Sequence, residues 1–159
     1  MKIIFHCYSG SYYSATAAAV YLRLLPINRV PAAVEFDRLP YFDAIAPKDY
    51  GKLYMMGCDD RGNEVFIMAR RSLDNVAVRV LQGIAKIYGF SPNDLIFIDS
   101  TGPLSNLLSF GGFLSVRLGL PKLGRPLVVR EIRRLYSHFP ALSREAEHLV
   151  HNDNLQTTP

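Results

Sequence analysis

The opening stretch Lys2–Leu25 limits the folds open to this chain, because three local patterns follow one another in it without interruption. An apolar run ends at His6 and Cys7, small polar residues follow around Gly10, and an alanine-rich segment completes the stretch. This order predicts a buried strand, a tight loop and a helix that begins at about Tyr12. Such a junction lies at the carboxyl edge of an open α/β sheet, where free backbone N–H groups and the helix dipole attract an anion.

The loop after this strand is therefore the predicted ligand-binding site. Its members lie between the end of the strand and the first helical turn: His6, Tyr8, Ser9, Gly10, Ser11, Tyr12, Tyr13 and Ser14. Backbone amides and serine hydroxyls are sufficient to hold a phosphate group, and Ser11 is also the predicted N-cap of the helix. The expected ligand is a phosphate-bearing small molecule or a phosphorylated partner.

The segment HCYSGSYYS, which begins at His6, resembles the H-C-x-x-G-x-x-R-S/T signature of cysteine-dependent phosphatases. With its flanks it looks most like the first strand, loop and helix of the low-molecular-weight protein tyrosine phosphatases, over about a sixth of the chain. The resemblance implies Cys7 as a nucleophile, and a helix N-terminus favours the thiolate form of such a cysteine. Tyr13 stands where these enzymes carry an arginine, which would supply phosphate affinity and transition-state stabilisation.

Other parts of the chain are expected to complete this site. Arg117, Arg70 or Arg71 could supply the missing guanidinium. Asp99 follows a second apolar run, and it would lie at the same sheet edge as Cys7, as a candidate general acid, if the two strands are parallel. The alternative is that Asp99 caps the following turn or the next helix.

The whole chain also resembles an uncharacterised family of small bacterial proteins of unknown function. The resemblance rests on the opening HCY, on LPYFD from Leu39, on the pair Gly111 and Gly112, and on the segment Gly124–Pro126. It implies one domain over most of the length and no particular activity. Three functions stay open: phosphate binding without catalysis, a phosphatase-like enzyme, and a structural or interaction protein in which the loop is only a short route from strand to helix.

Length, composition and charge narrow the class of protein. The 159 residues suit one domain, predicted over residues 1–151, followed by a disordered tail over 152–159. No apolar run approaches the ~20 residues that span a bilayer, so no membrane is expected. The lack of a leader-like segment and the two cysteines predict a cytoplasmic location. A net charge of +4 suits an anionic ligand and argues against extended nucleic-acid binding. No metal or cofactor is expected.

The remaining patterns define the expected architecture. They predict a hairpin over residues 52–58 and 64–70, an amphipathic helix over 72–88, a strand at 95–98, a broken helical region over 104–118, a short strand at 127–129, and helices over 131–139 and 143–150. The fold class is α/β: a three-layer sandwich with a mixed, mostly parallel sheet of four or five strands and helices on both faces. Three parallel strands are expected around residues 3, 96 and 128, with the hairpin at an edge.

Overall fold

The computed structural model describes residues 1–91, 94–103 and 105–156, and it has a mixed α/β fold built on a four-stranded sheet. The strands are β1 (Lys2–Cys7), β2 (Leu53–Cys58), β3 (Glu64–Ala69) and β4 (Leu95–Asp99). They stand in the order β2-β3-β1-β4, with β1 parallel to both of its neighbours and β2 antiparallel to β3. The predicted mixed, mostly parallel sheet is confirmed, and the three-layer arrangement stays a prediction.

Six α-helices accompany the sheet in the described part of the chain. They are α1 (Tyr13–Tyr21), α2 (Ala33–Phe36), α3 (Asp74–Ile87), α4 (Asn106–Gly112), α5 (Pro121–Arg134) and α6 (His138–Gln156). A 3₁₀ turn spans Pro47–Asp49, and a π-helical turn, Phe113–Arg117, continues α4. None of the helices in the residues described is long and apolar enough to cross a bilayer.

Helix α1 lies at the centre of the fold. All nine of its residues are buried, and it contacts β1, β3 and α6. Its alanines have no side chain beyond Cβ, so the helix can lie close to the sheet and to α6. A helix that is apolar around its whole circumference is stable only when it is enclosed in this way. The alanine-rich segment of the sequence therefore forms the inner helix of the domain.

Side chains alternate along β1 between two faces of the sheet, as the pleat of a strand requires. Ile3, Phe5 and Cys7 belong to the main core, which includes α1 and α6. Ile4 and His6 are also buried, but they lie outside that core cluster. Cys7 and His6 are thus neighbours in sequence that point to opposite faces.

The predicted strand at residues 127–129 is wrong, because these residues lie inside α5. The third parallel strand is β3, the second strand of the hairpin. A short apolar run does not distinguish a strand from a helix by itself. Here Val128 and Ile132, four residues apart, are fully buried on one side of the helix. Pro126 lies within α5, where it removes one donor from the helical hydrogen bonds without ending the helix.

Helix α6 begins earlier and ends later than the sequence suggests. Pro140 lies in its first turn, where a missing N–H has no helical acceptor to lose, so the predicted interruption at Pro140 is wrong. At its other end α6 continues to Gln156, into the segment predicted as a disordered tail. Residues 157–159 of that tail lie outside the described residues.

Glycines allow α4 and α5 to cross at close range. A Cβ added to Gly124 would lie 2.3 Å from the carbonyl oxygen of Gly111, and a Cβ on Gly111 would lie 3.0 Å from the carbonyl oxygen of Gly124. The next residue, Arg125, donates to the carbonyls of Phe36 and Phe42, each across 3.2 Å. These glycines therefore let α4 and α5 pack closely, and this arginine joins α5 to α2 and to the segment that follows α2.

Candidate functional site

The loop Cys7–Ser14 leaves the carboxyl end of β1 and folds against the end of β3. Gly10 has a φ of +69°, and a Cβ added there would lie 2.8 Å from the backbone N of Ala69. Glycine alone combines a positive φ with such a close approach at low cost. The N–H of Gly10 donates to the buried Sγ of Cys7 across 3.2 Å, so the loop itself orients the thiol.

The carbonyls and N–H groups of this loop are unequally paired. The carbonyls of Cys7 and Tyr8 accept from the N–H groups of Arg70 and Arg71, across 2.9 and 3.0 Å. Four N–H groups before α1, in contrast, donate to no protein atom within the residues that the structure describes: those of Tyr8, Ser9, Ser11 and Tyr12. The loop therefore places unpaired donors at the positive end of the α1 dipole.

A segment after α2 holds the start of α1 from the side. The N–H of Ile45 donates to Ser11 Oγ across 3.0 Å, so Ser11 binds this segment. The prediction that Ser11 is the N-cap is wrong, since Tyr12 takes that position without a side-chain hydrogen bond. The hydroxyl of Tyr12 donates to the Asp43 carboxylate across 2.7 Å, and Ser115 donates to its other oxygen. Burial, followed by the negative charge of Asp43, raises the pKa of Tyr12 far above its usual value.

Tyr13, at the position of the phosphatase arginine, turns its hydroxyl into the fold. The hydroxyl donates to the carbonyl of Pro103 across 2.7 Å, and burial raises the pKa of Tyr13 to about 12. It is therefore neutral at physiological pH and does not replace a guanidinium. Ser14 is fully buried, and its Oγ accepts from the hydroxyl of Ser100 across 3.3 Å. The loop is left to contact a ligand chiefly through its backbone.

Two arginines lie around the solvent side of the loop. Tyr8 is 52% exposed there, and the guanidinium of Arg71 lies 5.9 Å from the ring centre of Tyr50, in a cation–π contact. Burial raises the pKa of Tyr50 and the nearby Tyr8 phenol adds to this, whereas the charges of Arg71 and Arg117 oppose it. Cys7 also raises the pKa of Tyr50, by a smaller amount. Tyr50 thus has the Cys7 thiol and the guanidinium groups of Arg71 and Arg117 within electrostatic reach.

A second polar cluster lies at the same sheet edge, on the face opposite Cys7. Arg70 donates from Nε to His6 Nδ1 across 3.1 Å, and from Nη2 to Asp99 and Thr101 across 3.1 and 3.0 Å. Burial lowers the pKa of His6, so the imidazole is neutral near pH 7 and can accept this bond. Burial alone would raise the pKa of Asp99, but hydrogen bonds from Thr101 and the charge of Arg70 lower it.

The position of Asp99 at the edge of Cys7 is confirmed, because β4 runs parallel to β1 and pairs Asp99 with His6. Its side chain nevertheless shares the cluster of His6 and Arg70, not that of the thiol. A general acid must carry a proton at the working pH, and the lowered pKa of Asp99 opposes this. Its Oδ1 accepts from the N–H of Thr101 across 2.9 Å, which is the turn-capping role that the sequence left open.

Two cavities occur elsewhere in the molecule. One of about 240 Å³ is lined by Tyr21, Asp59 and Arg61, among others, and one of about 350 Å³ by Lys86 and Leu95 with their neighbours. Neither is lined by a residue of the Cys7–Ser14 loop. The loop is distinguished by its N–H groups that have no protein acceptor among the described residues. In the described part of the chain, no group of three or more His, Cys, Asp or Glu side chains is placed to hold a metal ion.

Fold and site together define a small α/β protein with a cysteine-bearing loop between a central parallel strand and a buried helix. The chain belongs to the family described as "Protein of unknown function (DUF3189)", whose model matches residues 2–147. The expectation of an uncharacterised family is thereby confirmed. A comparison with curated proteins found no match, and neither did a comparison with solved structures.

Sequence reasoning missed two residues that shape this site. Asp43 binds Tyr12 from more than thirty positions away, and Tyr50 contacts Arg71 and lies within electrostatic reach of Tyr8, Cys7 and Arg117. Asp43 ends the LPYFD stretch, and its φ of 58° allows the segment to turn toward α1. The stretch was visible in the sequence as part of the family resemblance, but nothing local assigned its carboxylate a partner.

Proposed function

We propose that this chain binds a phosphate group, carried by a small molecule or a phosphorylated partner, at the Cys7–Ser14 loop. The observation that carries the proposal is the imbalance in the loop backbone. The carbonyls at its start are paired with the end of β3, whereas the N–H groups of Ser9, Ser11 and Tyr12 have no protein acceptor among the described residues. Donors of this kind at a helix N-terminus favour an anion.

The charges around the loop support the same ligand class. Arg71 and Arg117 are both exposed and lie near Tyr50 at the rim. A guanidinium forms charge-assisted, often bidentate hydrogen bonds with phosphate oxygens. A ligand on the solvent side of the loop would meet backbone donors below and two arginines at its margin. The hydroxyls of Ser11, Tyr12, Tyr13 and Ser14 hold the fold and leave recognition to these groups.

The test is calorimetric titration of inorganic phosphate at constant ionic strength. We expect Arg71→Ala and Arg117→Ala each to weaken phosphate binding on the order of tenfold, because a hydrogen bond to a charged group is worth ~1.5–3 kcal/mol. Arg144→Ala is the matched control. Arg144 is exposed on α6. It lies one turn before Glu147, which forms an ion pair with Arg23; Arg23 follows the carboxyl end of α1, so Arg144 is near the end of α1 that is opposite to the loop. Equal losses in all three variants would mean non-specific charge attraction and would refute the proposed site.

A phosphatase-like activity is the second candidate, and one observation favours it. The N–H of Gly10 donates to Cys7 Sγ, a contact that would stabilise a thiolate. In that reaction the thiolate attacks phosphorus, the ester P–O bond breaks, and water then hydrolyses the cysteinyl phosphate. The leaving oxygen needs a proton, and Asp99 is held ionised beside Arg70. Turnover of an aryl phosphate that Cys7→Ser abolishes would establish the enzyme, and binding without turnover would leave the binding function alone.

A further inference from the structure

Helix α3 carries an apolar stripe that the rest of the chain leaves exposed. The stripe consists of five residues on one side of the helix: Leu73, Val76, Val80, Ile84 and Ile87. Their exposed fractions run from 47% at Ile84 to 82% at Ile87. The half-buried residues lie on the adjacent side: Ala77, Val78, Leu81 and Ala85. The stripe is therefore the more exposed apolar side of the helix.

The stripe is large enough to form a specific interface. The five exposed fractions correspond to roughly 500 Å² of side-chain surface per molecule, toward the upper end for apolar patches on soluble monomers. If two such stripes covered each other completely, about 1,000 Å² would be buried in total, which is the lower limit for a specific contact and indicates a weak dimer. A surface of this extent is costly to leave in water.

The spacing of the stripe identifies its partner as a second copy of the same helix. Successive residues are separated by three, four, four and three positions, so the pattern is the same from either end. An antiparallel copy related by a two-fold axis at Val80 places Val80 against its own counterpart. On that axis Val76 faces Ile84 of the partner, and Leu73 faces Ile87. A closed two-fold interface requires this kind of self-complementary patch.

We propose that the chain forms a homodimer through antiparallel packing of α3, centred on Val80. The dimer does not depend on phosphate binding, because the stripe shares no residue with the Cys7–Ser14 loop. Each protomer contributes the same five side chains, and the two loops remain separate sites on one particle.

Sedimentation analysis of the full chain tests the dimer. The wild type, of 17.9 kDa per chain, sediments at twice that mass at about 100 μM, as expected for an interface of this modest size. Val80→Asp places two like charges face to face on the axis and yields monomers with unchanged helical circular dichroism. Leu123→Asp is the matched control, because Leu123 is 61% exposed on α5 and lies outside the stripe; this variant stays dimeric. A mixture of Val80→Asp and Val80→Lys chains dimerises again.

Cross-linking tests the direction of the helices, in a Cys58→Ser background because Cys58 is an exposed thiol. Two copies of Val76 are about 12 Å apart along an antiparallel pair, beyond disulfide reach. Val76→Cys alone gives no cross-link, whereas a mixture of Val76→Cys and Ile84→Cys chains does. A monomeric wild type at about 100 μM, a Val80→Asp variant that stays dimeric, or self-cross-linking of Val76→Cys overturns the proposal. If the wild type is monomeric, the stripe would instead bind an unrelated partner or a lipid surface.

Discussion

Substitution of Gly10 by alanine tests whether the loop is fixed by its contact with β3. The new Cβ would lie 2.8 Å from the N and 2.9 Å from the Cβ of Ala69, and Ala69 is held in the sheet by its pairing with Cys7. The left-handed conformation of Gly10 costs an alanine ~1–2 kcal/mol. Relief of the clash by backbone shifts costs a further ~1–3 kcal/mol. The variant should therefore lose about 3 kcal/mol of unfolding free energy.

Gly62→Ala is the matched control, because Gly62 also has a positive φ, of +78°, but nothing lies within 4 Å of an added Cβ. It should lose only the conformational term, about 1 kcal/mol. With a urea m-value of ~2 kcal/mol/M, the midpoint falls by about 1.5 M for Gly10→Ala and about 0.5 M for Gly62→Ala. Equal midpoints for the two variants would refute the account of the loop, because the contact with Ala69 would then carry no weight.

Two further predictions concern the opposite sheet face and the helix crossing. Because burial lowers the folded-state pKa of His6 below its ordinary 6.5, the unfolded chain binds more protons, and stability falls as the pH drops below about 6.5. Urea unfolding between pH 7 and 5 should show this fall, reduced in His6→Asn; an unchanged slope would contradict it. Gly124→Ala would place a Cβ 2.3 Å from the Gly111 carbonyl oxygen and should lower the unfolding free energy by ~1–3 kcal/mol. An unchanged urea midpoint for this variant would contradict the close contact between α4 and α5.

The sequence was sufficient for those parts of the fold that depend on local pattern. The opening strand, loop and helix follow one another in the order that the apolar run, Gly10 and the alanines predict. The apolar run before Asp99 predicts a strand parallel to β1, and the right-handed crossover rule supplies its direction. The elements themselves are predicted correctly because each depends on residues within one short segment, and the parallel direction of β4 follows from its connection to the rest of the sheet.

The errors come from patterns whose meaning is decided by distant contacts. The apolar residues at 127–129 fit a strand or a buried helix equally well. In the structure they belong to α5, which packs on α4 through the contact of Gly124 with Gly111, a residue distant in sequence from the apolar run. The hydroxyl of Ser11 was expected at the helix cap, but it accepts from Ile45, whose position depends on the whole preceding segment. The amphipathic period of α3 predicts a helix without showing that its apolar stripe stays exposed.

The candidate site was predictable in its backbone and not in its side chains. The loop and its place at the sheet edge follow from the local order of residues around Gly10. The partners of Arg70 and Asp99 depend on the register of three strands, and that register cannot be read from any one of them. For the same reason the sequence offered three arginines as replacements, and only the folded chain separates Arg71 and Arg117 at the rim from Arg70 on the opposite face.

The most direct test of the central claim is a phosphate titration followed by nuclear magnetic resonance of the backbone amides. At constant ionic strength, with chloride as the comparison anion, phosphate should shift the amide signals of Ser9, Ser11 and Tyr12 in a saturable manner with a single dissociation constant. These amides are among the loop donors that have no protein acceptor in the described part of the chain. If they stay unmoved while phosphate shifts other amides or none, the loop is not an anion site and the proposed function is wrong.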